Sequence, residues 1–262
     1  MVNLLADGWT LTQRRLFRLR HQPGTLLTML MTPTAFVVLF GFVFGSAIRV
    51  PGTSHYREFM MPGLFVMTTG TALSTAMVEV ATDQARGVME RLRSLPTHRV
   101  SVPLGQSGAE GILGAYGLAV LMVCGLVVGW RPHHGVLSTL VGAGLLLLLR
   151  YTLAWVGTYL GLVVRSARTA AGLTPLTLPL AMVSNALVPT DRMPVWLRAI
   201  CEWNPLSATA TAARKLFGNP GTPGPDAAWP LTHPVTASLL WAGLLLLIFV
   251  PLSARRFARA GL

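Results

Sequence analysis

Six runs of 20 or more residues carry almost no charge, and they dominate the chain. A helix rises 1.5 Å per residue, so about 20 apolar residues cover the ~30 Å hydrocarbon core of a bilayer. The runs are 25–48, with Pro33 as a kink, then 59–78, 103–130, 136–164, 169–189 and 232–253. They take up half of the 262 residues, which leaves no room for a separate soluble domain of ~100 residues. Charged residues make up 11 %, against roughly 25 % in a soluble domain. The expectation is an all-α polytopic membrane protein, one domain over residues 1–262, with six transmembrane helices.

Orientation follows from the basic residues of the short connections. Thirteen fall on one side: Arg14, Arg15, Arg18, Arg20, Arg86, Arg91, Arg93, Arg99, Arg165, Arg168, Arg255, Arg256 and Arg259. Seven fall on the other: Arg49, Arg57, Arg131, Arg192, Arg198, Arg214 and Lys215. Six spans with both termini on the richer side satisfy this count, so both ends are expected in the cytoplasm and the chain in the cytoplasmic (inner) membrane. The net charge of +12 is scattered among these connections, not gathered in one stripe, which argues against a nucleic-acid partner. The start MVNLLADGWT lacks the basic head and apolar core of a signal peptide.

Three connecting segments have patterns of their own. In residues 4–21, Leu5, Trp9, Thr12, Leu16 and Leu19 share a helical face, with Arg14, Arg15 and Arg18 largely opposite. This fits an interfacial helix on the cytoplasmic leaflet, in contact with membrane lipid, or an ordinary basic flank. In the connection 83–99, Val88, Met89, Leu92 and Leu95 line one face, while Arg86, Glu90 and Arg93 form the opposite row and Pro96 stops the helix. Short tethers to two spans suit a fixed docking element for a cytoplasmic partner, although a membrane-surface helix has the same pattern. Between spans five and six, Thr190 and Asp191 are candidate caps and Pro194 sits in the first turn of a helix. Val195, Trp196, Ala199, Ile200 and Trp203 form its apolar stripe. A second helical piece, 207–217, follows the Asn204-Pro205 break, and the turn-rich GNPGTPGPD comes after it.

The chain offers little for catalysis, and no catalytic residue is assigned. The only lysine, Lys215, precedes Leu216, so there is no phosphate-cradling Gly-x-x-x-x-Gly-Lys-Ser/Thr loop. The six histidines and two cysteines have no metal-ligand spacing, and no metal site is expected. Gly105-Gln-Ser107-Gly108 matches the Gly-x-Ser-Gly of intramembrane rhomboid-type proteases. A serine nucleophile needs a histidine within hydrogen-bond reach, and His233 falls at the opposite membrane face, roughly 20 Å or more away in depth.

Ionisable residues inside spans carry more information. Arg150 lies ~21 Å from either end of its span, and Glu110 sits ~10–12 Å into its own. An arginine there must be paired and face protein or water, so Arg150–Glu110 is a hypothetical pair, either structural or serving substrate passage. Glu79 is a second candidate and is expected at the cytoplasmic end of span two. In that span Met60, Met61, Phe65, Met67, Thr68, Thr71 and Thr75 are unusual for a lipid-facing helix. They suit close helix packing or a path for a bulky amphipathic molecule.

Three blocks carry a family resemblance: YREFMMPGLFVMTTG, DQARGVMERLRSLPTHRVSVPLGQ and SNALVPTDRMPVWLRAICEWNPLSATATAARKLFG. With the six-span layout they resemble the permeases of ABC type-2 exporters, close to the daunorubicin/doxorubicin-resistance group. The resemblance implies a non-catalytic permease that pairs with a second copy or a paralogue. It also implies two copies of a separate ATPase, which bind the ATP and Mg; this chain itself binds no cofactor. By position, Arg86, Val88, Met89, Glu90, Arg91, Leu92, Arg93 and Leu95 would form the coupling helix and residues 4–21 the connecting helix. Pro194–Phe217 would form short external or re-entrant helices over the exit. The path would run at the dimer interface. Drug or antibiotic export leads, with lipid, glycolipid or polysaccharide export as the alternative.

Overall fold

The computed structural model describes residues 31, 34–39, 56–87, 101–164, 166–190, 193–221, 223, 224 and 226–259. There is no strand among the described residues. Four helices are long and apolar enough to cross a bilayer: Tyr56–Ala85, Gly111–Val128, Gly135–Val164 and Pro234–Phe257. They coincide with the second, third, fourth and sixth predicted runs. Of the first run, residues 31 and 34–38 are helical, and its remainder lies outside the described residues, as does the interfacial helix 4–21.

The second run extends further than hydropathy suggested. Helices α1 (Tyr56–Gly70) and α2 (Ala72–Ala85) meet at Thr71. Polar residues 82–84 continue the helix because no glycine or proline interrupts it until Gly87, whose φ of 66° ends it. Glu79 is therefore half-buried inside α2, not at the end of the helix. Helix α3 (Ser101–Val128) turns back through Gly129 (φ 104°) and Gly135 (φ 80°) into α4 (Gly135–Val164).

The fifth run departs from its predicted bounds, 169–189. Ser166 caps α5 (Ala167–Leu173) by accepting the Thr169 N–H at 3.3 Å. A 3-10 turn over Thr174–Leu176 leads to α6 (Thr177–Met182), and the chain then leaves the helix at Val183. Pro175 and Pro179 each remove a backbone donor here. The helical part is 16 residues, or ~24 Å, and an irregular strap, 183–190, which enters a 3-10 turn at Thr190, completes the run. After it come α7 (Val195–Glu202), α8 (Pro205–Phe217), α9 (Trp229–Thr232) and α10 (Pro234–Arg259).

The centre of the bundle is α4, which packs on α1, α2, α3, α8 and α10. Against α2 it presents Ala154, Gly157 and Gly161. A Cβ on Gly157 would overlap the carbonyl oxygen of Leu73, and one on Gly161 would lie 2.6 Å from that of Met77. Small residues four apart let two apolar backbones touch, which is how helices gain dispersion energy where lipid competes for every apolar surface. The second packing centre is aromatic. Phe65, Trp130 and Phe217 meet edge to face, with centroids 5.1–6.2 Å apart, and Phe217 rests on the bare backbone of Gly142.

Candidate functional site

The strap Val183–Thr190 poses an accounting problem, because non-helical backbone in a membrane protein must find partners inside the protein. Ser184, Asn185, Ala186, Leu187 and Thr190 are all buried. Side chains from other elements satisfy several of the strap's backbone groups. Asn204 Nδ2 donates to the Val183 carbonyl at 2.6 Å, and the Tyr56 hydroxyl donates to that of Leu187 at 3.4 Å. Ser207 Oγ accepts the Asn185 N–H at 2.9 Å. The carbonyls of Asn185 and Ala186 both accept from Arg214 Nη2, at 3.0 and 2.6 Å.

Arg214 is the keystone of this arrangement. Its Nε donates to the Phe59 carbonyl at 3.0 Å, and its guanidinium lies 3.9 Å above the Phe59 ring. Nη1 reaches Asn185 Oδ1 at 3.5 Å. The sequence of α8 explains how an arginine comes to be 2 % exposed. Residues 207–213 are all Ser, Ala or Thr and all buried, so neighbouring backbones close in around them. Arg214 falls in the last turn of α8, where the helix dipole favours a cation. That turn ends at Gly218, whose φ of 71° is left-handed. No carboxylate ion-pairs with Arg214 among the described residues. Burial draws it down to about 9, so it stays charged at neutral pH, held by carbonyl dipoles and an aromatic face. Two glycines make room: a Cβ on Gly63 would overlap the Ala186 carbonyl, and one on Gly221 would lie 2.8 Å from Arg214 Cδ.

Beside the knot, Glu202 collects three donors: Thr190 Oγ1 at 3.2 Å, Arg198 Nε at 2.7 Å and the Ala228 N–H at 2.8 Å. Thr190 therefore does not cap α7, as its position suggested; Pro194 stands at that N-cap with no side-chain bond. This network holds the polar side of α7, while Val195, Trp196 and Ile200 stay exposed on the other. Asp191 lies outside the described residues.

The sequence-predicted sites fare differently. Met60, Met61 and Phe65 are sealed in the chain's own core and present no surface to a passing molecule. Met67 and Thr68 are half-buried, and Thr71 and Thr75 are exposed. The hydroxyls of Thr68, Thr71 and Thr75 donate back to Phe65, Thr68 and Thr71 carbonyls at 2.7–3.0 Å. Arg86 is exposed in the turn that ends α2; Val88, Met89, Glu90, Arg91, Leu92, Arg93 and Leu95 lie outside the described residues. Arg150 is 6 % exposed, and its Cδ and Nε fill the space where a Cβ on Gly114 would stand. Gly114 is one turn after Glu110 on α3. Ser107 lies near the start of α3, whereas His133 and His134 follow its far end.

The sequence profile of the ABC-2 type transporter family matches residues 7–217. This chain belongs to the ABC-2 type transporter family. The strap, α7 and α8 all fall within the matched region. Daunorubicin resistance ABC transporter permease protein DrrB1 of Streptomyces coeruleorubidus is 30 % identical over 93 % of this chain and 83 % of its own. Doxorubicin resistance ABC transporter permease protein DrrB of Mycobacterium tuberculosis is 26 % identical over 86 % and 80 %. A protein of the same species described as a probable doxorubicin resistance permease, DrrC, is 24 % identical over 92 % and 85 %. The ABC-2 assignment agrees with the family resemblance of the three sequence blocks and leaves the protease motif at Ser107 without support.

The sequence reasoning missed Arg214 and Asn185. Arg214 counted only as one charge of an external connection, within the helical piece 207–217 and beside Lys215. The available signal was the small-residue run 207–213 directly before it on the same helix, which lets neighbouring backbones close in.

Proposed function

We infer that this chain is the membrane-spanning permease subunit of an ATP-driven exporter of drug- or antibiotic-like amphipathic compounds, with ATP and Mg bound by a separate subunit. The family membership carries this reading, and the drug-resistance permeases among its relatives support the substrate class. Six spans with both termini in the cytoplasm, in the inner membrane, are supported by the charge bias of the connections. That topology puts the end bearing Phe59, Asn185 and Arg214 outside the cell. Two permease chains, identical or paralogous, pair with two ATPases. The segment 83–99 then docks in the ATPase: α2 runs without a break to Arg86, so force applied to this segment is delivered directly to the helix packed along α4. With Met60, Met61 and Phe65 committed to the core, the path-facing residues of the α1–α2 run are Thr68, Thr71 and Thr75, at i, i+3, i+7.

Affinity purification of the tagged chain in mild detergent from its native host, with mass spectrometry of what accompanies it, tests the assembly. A near-stoichiometric P-loop ATPase is expected, and recovery of this chain alone under several detergents overturns the reading. Doxorubicin accumulation in cells with and without the chain tests the substrate class. Substituting Glu90 or Arg91 should abolish export while ATPase activity and membrane insertion persist.

A further inference from the structure

We propose that the C-terminal end of α10 is a binding site for the phosphate of an anionic phospholipid headgroup, held by Ser253 and Arg256. A pair of buried polar atoms carries this. Ser253 is 0 % exposed, and its Oγ has no hydrogen-bond partner. Arg256 stands three residues on and is half-buried, and its Nε is likewise buried and unpartnered. No carboxylate ion-pairs with Arg256 among the described residues. Buried polar groups are nearly always hydrogen-bonded, so two such atoms on adjacent turns point to a ligand that supplies the acceptor.

The two atoms belong to one site. Residues i and i+3 of a helix share a face, with Cβ atoms about 5–6 Å apart. A helical side chain leans towards the preceding turn, which lays Arg256 over the turn that bears Ser253. An oxygen between them accepts from both. Other hydroxyls in these helices are spent on their own backbone: Ser238 donates to the Pro234 carbonyl at 2.7 Å, and Thr152 to that of Leu148 at 2.8 Å. Ser253 makes no such bond, which leaves its hydrogen for an outside acceptor.

The ligand's chemistry follows from the donors and their depth. A guanidinium beside a hydroxyl selects an anion with several oxygens, and its planar fork suits phosphate. Counting from Pro234, Ser253 lies ~29 Å along α10 and Arg256 ~33 Å. That is the edge of a ~30 Å hydrocarbon core, where headgroup phosphates begin. In the topology proposed above this is the cytoplasmic leaflet, where basic pockets between spans bind anionic headgroups. Residues 234–262 contain no Asp or Glu to compete, and Arg255 adds an exposed positive charge. The Arg256 side chain turns aside to admit the phosphate and closes over it. None of this depends on which compound the protein exports.

The test is the thermal midpoint of the purified chain in a neutral detergent, alone and with phosphatidylglycerol, phosphatidylcholine or inorganic phosphate added. Phosphatidylglycerol should raise it by about 2–4 °C, and the other two should not. Ser253→Ala and Arg256→Gln should each lose most of that rise, whereas Arg255→Gln, an exposed neighbour, should keep it. Without lipid, Ser253→Ala should melt no lower than the unaltered chain, because it removes an unsatisfied buried hydroxyl. That separates loss of the ligand from loss of the fold, and Ser253→Ala decides alone should Arg256→Gln fail to fold. An equal rise with phosphatidylcholine shows a general lipid effect, and an equal rise with phosphate shows a free anion; either overturns the proposal. A rise that survives both substitutions, or that Arg255→Gln removes equally, also overturns it.

Discussion

The indole N–H of Trp130 donates to Asn219 Oδ1 at 2.7 Å, joining the turn after α3 to the residue just past α8. Asn219 Nδ2 returns a bond to the Arg131 carbonyl at 2.9 Å. The amide thus holds two consecutive residues of one connection and fixes Trp130 in the aromatic cluster with Phe65 and Phe217. Asn219→Ala leaves a buried indole N–H without a partner, at a cost of about 1–3 kcal/mol. The thermal midpoint of the purified protein, followed by tryptophan fluorescence, should fall. Trp130→Phe with Asn219→Leu should cost less than the two single changes together, since the double variant leaves neither group of the pair unsatisfied.

Glycines on α4 are not equivalent. Gly157→Ala sets a methyl on the Leu73 carbonyl and should destabilise by about 1–3 kcal/mol, because neither helix backbone can yield without disturbing its neighbours. Gly144 meets nothing within 4 Å, so Gly144→Ala should leave stability unchanged or raise it. Thermal melts of the two variants in one detergent check the contrast, and equal losses would refute the packing argument.

Hydropathy made the second, third, fourth and sixth spans legible, since long apolar runs with charged ends admit few alternatives. It failed at the fifth run, where apolar residues continue to Leu187 and Val188 but the helix stops at Met182. Pro175 and Pro179 account for the 3-10 interruption before α6, whereas beyond Met182 the chain is taken up by partners on α1, α7 and α8, which only the tertiary structure brings together. The same limit applies to α1. Met60, Met61 and Phe65 look like soft path-lining residues in one dimension, and only the arrival of Trp130 and Phe217 shows that they are core. The loop readings were sounder in outline than in detail. Asn204-Pro205 does open α8, with Asn204 Oδ1 accepting the Leu206 N–H at 2.9 Å, whereas Thr190 turned to Glu202.

Glu202 should control the chemistry of its neighbour. Burial pushes the Cys201 thiol above its usual range, and the Glu202 carboxylate raises it further. Both effects disfavour the thiolate, the form that reacts. Modification of Cys201 by maleimide should be slow at pH 7–8 and still rising above pH 9. Glu202→Gln removes the second effect, so its rate at a given pH should increase while staying below that of a free thiol. A rate indistinguishable from a free thiol in the unaltered chain would contradict the buried placement.

Arg150 is a buried charge deep inside a span, and its slot explains how it is tolerated. Standing ~21 Å from either end of α4, it is too deep to reach water by snorkelling. Instead its stem and guanidinium lie across α3 at Gly114, in volume that any larger residue would occupy. The next turn of α3 towards its start carries Glu110, which makes this carboxylate the partner expected from the backbone. If the two form a pair, Arg150→Gln and Glu110→Gln should each lower the amount of folded protein in the membrane, because each leaves one intramembrane charge uncompensated. The double variant should recover much of the loss. Gly114→Leu should reproduce the defect of Arg150→Gln by expelling the arginine, with both charges still encoded. Additive losses in the double variant would exclude the pair, and a neutral Gly114→Leu would show that Arg150 has another place to go.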